Sequence, residues 1–99
     1  MPLKPEDNVL QFKQKESGEP SLVVIHWLDI TATADWTEGE EVEPTPFQTI
    51  GWLHTINDSV VKVGNTMDEE QKIYGITCFP IGCVEQIQEL QLSTSTSPA

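Results

Sequence analysis

Between Leu22 and Ile30 the chain reads LVVIHWLDI, β-branched and aromatic with apolar residues on both parities. Such a run, with no helix cap before it, predicts a strand in a central, two-sided position. A second strand is expected over Phe47–Ile56, where Ile50, Trp52 and Ile56 share a parity and Gly51 marks a bend or a close backbone approach. Asn57, Asp58 and Ser59 then form a turn, because Asn and Asp tolerate left-handed backbone and bond their own main chain. Val60–Val63 returns as a third strand and completes a hairpin. Gly64–Lys72 is a polar connection. A fourth strand runs over Lys72–Phe79, with Ile73, Gly75, Thr77 and Phe79 on one parity, and stops at Pro80, which has no N–H to donate. Gly82 completes the corner, and a short strand is expected near Cys83–Ile87. Val84, Ile87 and Leu90 also fit a helical spacing, and Gln and Glu favour helix, so strand and helix both stand for this last piece.

The segments around these strands carry little that is apolar. Residues 1–20 form a polar arm that docks locally only through Val9, Leu10 and Phe12. Residues 21–92 form the single domain. The STSTSPA run at 93–99 is a low-complexity tail with nothing to pack, and disorder is expected there. At 99 residues and 37% hydrophobic, the chain has room for one small core of marginal size. No apolar run reaches the ~20 residues of a membrane helix. The start lacks the long apolar stretch of a secretory signal, so a cytoplasmic protein is expected.

Charge sharpens this picture. Sixteen carboxylates face five lysines, arginine is absent, and the net charge is −11. A field of that sign repels nucleic acid and anionic membrane. Without arginine the usual bidentate phosphate partner is missing, and readers of DNA or RNA need clustered Lys and Arg. A protein with a basic surface is the natural complement. The carboxylates concentrate in the long loop Thr31–Pro46, which holds Asp35, Glu38, Glu40, Glu41 and Glu43 and no positive charge, and again in Asp68, Glu69 and Glu70. A connection as long as Thr31–Pro46 in a small domain is usually functional or mobile.

The element order and the last strands bring in a family. Gly75, Phe79, Pro80, Val84 and Ile87 resemble the G-x-F-P-x-x-x-V-x-x-I ending of SH3 domains, with extra spacing between Gly75 and Phe79. The match covers roughly the last 20 residues by sequence and the rest by element order. It implies an all-β fold, a small five-stranded SH3-like barrel with a short 3₁₀ turn after the proline. The family's peptide-reading activity does not carry over. Leu22–Ile30 has no tyrosine, Cys83 stands where SH3 domains keep a groove tyrosine, and PxxP recognition needs an aromatic groove. Trp27-Leu28-Asp29, Gly51-Trp52-Leu53 and Pro80-Ile81-Gly82-Cys83-Val84 also resemble small acidic proteins of tailed bacteriophages and prophages. Some of those block host defence enzymes and others sequester signalling nucleotides.

Candidate chemistry is sparse. Cys78 and Cys83 flank the corner, but a structural zinc needs four ligands, and His26 and His54 would have to converge from two other strands. Two small side chains packing at the corner is the expected outcome for the cysteines, with no disulfide and no metal. No nucleophile, base and orienting group form a set, so no catalytic residue and no cofactor is expected. The Asp68–Glu70 run lacks the alternation of a calcium loop. Trp27 and Trp52 are expected in the core. Trp36 is expected to fold back as a lid on the barrel; standing free, it would be an anchor of the kind enriched at binding hot spots. The leading expectation is a non-catalytic accessory or inhibitor protein. It would offer Asp35, Trp36, Glu38, Glu40, Glu41, Glu43, Asp68, Glu69 and Glu70 to a basic partner protein. The alternatives are an oligomeric binder of a small ligand such as a signalling nucleotide, and a virion adaptor.

Overall fold

The computed structural model of the chain describes residues 12, 18–32 and 34–91. Residues 1–11, 13–17 and 92–99, which hold most of the expected arm and all of the expected tail, lie outside the described residues, as does Thr33. The fold is all-β: β1 (Leu22–Asp29), β2 (Thr45–Ile56), β3 (Val60–Met67), β4 (Ile73–Pro80) and β5 (Val84–Glu89), with 3₁₀ turns at Gly39–Glu41 and Ile81–Cys83. All pairings are antiparallel within one sheet of order β4-β3-β2-β1-β5. The central place expected for Leu22–Ile30 is therefore where β1 lies, between β2 and β5.

The expected closed barrel is corrected by this order. β4 and β5 are neighbours in sequence yet form the two outer edges of the sheet, so the sheet stays open. The reason lies at the corner. The 3₁₀ turn after Pro80 carries the chain away from β3, with the Ile81 N–H held by the Ser59 carbonyl at 2.9 Å, and delivers Val84 opposite Trp27 of β1. β5 thus spends its inner ladder on β1 and leaves none for β4.

The core lies on one face of this sheet. Val23 and Ile25 of β1, Leu53 of β2, Val61 and Val63 of β3, Phe79 of β4 and Val84 of β5 are buried together, and Phe12, Trp27, Ile56, Ile81 and Ile87 pack around them. Phe12 is one of the three arm residues expected to dock; Val9 and Leu10 lie outside the described residues. Truncating one of these large core side chains to Ala would cost roughly 2–5 kcal/mol, a large share of a small domain's stability. Trp27 is half-buried, stacks against Phe47 at 5.2 Å, meets Phe79 at 5.1 Å with the rings tilted by 57°, and donates from Nε1 to Thr49 Oγ1 at 2.8 Å.

The inward face of β2 differs from the expected one. Leu53 is buried, whereas Ile50 is 61% exposed and Trp52 only half-buried. β1 dictates this. Val23 and Ile25 face the core, and Gly51 and Thr49 lie opposite them, so the odd residues of β2 point inward. An irregularity between Leu53 and Thr55 then shifts the register, and Ile56, of the other parity, reaches the core too. Gly51 is needed for the reason anticipated: a Cβ there would sit 2.7 Å from the Gly64 carbonyl oxygen. β3 continues to Met67, through residues expected to be loop, because β4 offers it partners on both sides of Asn65 and out to Met67. Pro80 is the last residue of β4, and Val84–Glu89 is strand rather than helix.

Candidate functional site

The longest connection between strands runs from the end of β1 to the start of β2. Its tip is shaped by Asp35. The Asp35 carboxylate accepts a hydrogen bond from the Thr37 N–H at 2.9 Å and another from the Thr37 hydroxyl, closing a turn with Trp36 at the apex. The 3₁₀ turn Gly39–Glu41 follows, fixed by the Glu41 N–H to the Glu38 carbonyl at 2.9 Å. At the root, Thr31 and Thr45 hydroxyls meet at 2.8 Å.

The result corrects the expected lid. Trp36 is 100% exposed, as is every carboxylate around it in class: Asp35, Glu38, Glu40, Glu41 and Glu43. The open side of the core is already packed by Phe12, Ile81 and Ile87, and the Asp35 turn aims the indole outward. Among the described residues of the loop there is no cation.

At the loop's root lies a cleft of about 360 Å³, lined mainly by Trp27, Ile30, Cys78, Phe79, Pro80 and Cys83. Ile30 is 87% exposed beside it. Nothing in the sequence pattern announced this cleft, since it joins the end of β1 to the end of β4 through the coiling of the sheet. Cys78 and Cys83 are both free thiols; Cys83 is half-buried but Cys78 is exposed, against the expectation that both pack away. An edge strand cannot bury a side chain on its outward face.

Asp68, Glu69 and Glu70 sit at the Ile73 end of β4, while the cleft and the acidic loop's root adjoin the Pro80 end. Eight strand residues separate those ends by roughly 25 Å. Asp68 also has a different task. Its carboxylate accepts from the Glu70 and Lys72 N–H groups, each at 2.9 Å, and from the Tyr74 hydroxyl at 3.1 Å. The hydrogen bond from the Lys72 N–H leads in holding its pKa below the usual aspartate value, and the same carboxylate raises that of Tyr74. Gln71 takes a φ of 66° to complete this turn. The Lys72–Glu70 pair at 3.7 Å is solvent-exposed and worth little.

The two histidines stay apart. His26 Nε2 contacts Gln88 Oε1 at 2.7 Å, and His54 Nδ1 contacts Thr55 Oγ1 at 2.6 Å. Among the described residues no three His, Cys, Asp or Glu side chains gather as metal ligands would. A second cavity of about 460 Å³ is lined by Gly18, Ser21, His54, Lys72 and Tyr74, and the Ser21 hydroxyl oxygen behind it is buried without a partner. No helix among the described residues is long and apolar enough to cross a membrane.

No protein-family model matches the chain, and no curated protein or solved structure matches it either.

Proposed function

We propose that this chain is a non-catalytic protein-binding module whose acidic loop docks on the basic surface of a partner protein. The observation that carries this reading is the complete exposure of Trp36 at the apex of the Asp35 turn, amid five exposed carboxylates. An indole held in water exposes apolar area that a partner's pocket would desolvate favourably. The carboxylates speed and orient the encounter, and make it weaken as salt rises. The cleft beside Ile30 offers an apolar seat adjoining the charged segment.

Asp68, Glu69 and Glu70 extend the acidic field of the molecule, but the loop is the docking element. The sheet order β4-β3-β2-β1-β5 and the 3₁₀ turn before β5 favour an SH3-like frame for this module, with the peptide-reading tyrosines absent. Under the likeness to small acidic phage proteins, the partner would be a nucleic-acid-handling or defence enzyme of a host cell, whose basic groove the loop would occupy in place of phosphates.

Affinity capture with mass spectrometry tests this, run at low and high salt with the wild type and with Trp36→Ala. Basic proteins retained at low salt, and lost both at high salt and in the variant, support the reading. Recovery of the same proteins regardless of salt and of Trp36, or of none at all, rules it out.

A further inference from the structure

The two edges of the sheet are unequal. β5 carries Glu85 and Glu89, whose charges discourage another strand from pairing there. β4 carries none: from Ile73 to Val84 no residue is charged, in a chain of net charge −11. Tyr74 and Ile76 on this edge are 50% and 44% exposed. Ile76 lies in one cross-strand row with Gly64, Trp52 and Leu22, so the uncharged edge continues an uncharged row across the outer face.

The hydrogen-bonding phase of the edge follows from β3. Val60 turns its carbonyl and its N–H to Asn57, on the β2 side. Alternation along an antiparallel ladder then directs Val61 and Val63 to β4, and their partners Phe79 and Thr77 back to β3. Ile76 and Cys78 are left with main-chain groups directed away from the sheet. Pro80, in the same phase, costs the ladder no bond. Gly75, with φ 68°, turns the Ile73 end off line, so Ile76–Phe79 is the stretch open to pairing.

We infer that this chain forms a homodimer by antiparallel pairing of β4 with β4 of a second copy about a two-fold axis. Charge selects the second copy as occupant. Two uncharged strands meet without repulsion, whereas a basic strand finds nothing on β4 to pair its charges with. The two-fold also separates the Asp68–Glu70 turns to opposite ends of the joined strands, roughly 25 Å apart, well beyond the ~8 Å screening length at physiological salt. An isologous contact of this kind closes on itself and does not polymerise.

Sedimentation equilibrium over a wide concentration range, with amide exchange at each end of it, tests the pairing. A dimer is expected whose Ile76 and Cys78 amides exchange more slowly as concentration rises. Higher salt should strengthen it by screening the net charge, opposite to the partner contact of the loop. Ile76→Lys should weaken dimerisation about tenfold, with an unchanged circular dichroism spectrum, and Gln88→Lys on β5 should not. A monomer at every concentration, exchange at Ile76 and Cys78 that ignores concentration, or a dimer broken by Gln88→Lys but not by Ile76→Lys would overturn it.

Discussion

Asp35 and Asp68 each open an acidic run, and each accepts hydrogen bonds from main chain just downstream. The reach of those bonds separates them. The Asp35 bonds to Thr37 span two residues, so its carboxylate shapes a turn and leaves Trp36 at the exposed apex. Asp68 binds Glu70, Lys72 and Tyr74, which ties the turn to the first residues of β4. The same residue type thus presents a side chain in one loop and closes a hairpin in the other. The difference argues that the β1–β2 loop is held for contact and the β3–β4 turn for stability.

The contrast can be broken most sharply at Trp36. Trp36→Ala is expected to weaken partner binding about thirtyfold, the effect of a ~2 kcal/mol hot spot, while stability measured by urea unfolding moves by no more than ~0.5 kcal/mol. A large fall in stability would mean that the indole is packed after all. Next, Asp68→Ala should clearly lower the thermal midpoint and Asp35→Ala should lower it much less. Equal losses would erase the distinction.

A smaller effect appears on acidification. Asp68 has a folded-state pKa below the unfolded one, so its contribution is present above the ordinary aspartate value of 3.8 and is lost as pH falls through the folded value. Thermal midpoints followed from neutral pH down to pH ~2 should therefore show an acid limb that flattens in Asp68→Asn. Smallest of all, Glu40→Gln and Glu41→Gln should each reduce partner affinity about two- to threefold at low salt and have no effect at high salt, read by calorimetric titration.

Much of the fold could be read from the chain because local pattern and tertiary need agree there. Leu22–Asp29 is apolar on both parities and lies between two strands; Asn57–Ser59 turns because the Asn57 carboxamide accepts from the Ser59 and Val60 N–H groups. The inward face of β2 was not readable. Ile50 and Trp52 are bulkier than Thr49 and Gly51, yet register with β1 sends the larger pair outward. The extension of β3 through Asn65 and Thr66 was hidden for a related reason, since both polar residues are exposed, Thr66 even as it pairs with Tyr74 of β4. For the candidate site, the acidity of the loop was plain in the sequence and the pose of Trp36 was not. Asp two residues before Thr was the available signal, because that spacing permits the side-chain-to-backbone turn that projects the residue between them.

Composition and local pattern alone determined a small, strongly acidic, β-rich chain with a charged loop and a proline corner, because strand preference, turn chemistry and net charge are properties of neighbouring residues. Whether the sheet closes, which face of β2 turns inward, which edge stays uncharged and free, and whether Trp36 is covered were decided only by tertiary structure. The first three depend on a partner strand far away in sequence, whose register fixes what there is room to bury; the last depends on the Asp35–Thr37 turn and on a core already packed by Phe12, Ile81 and Ile87.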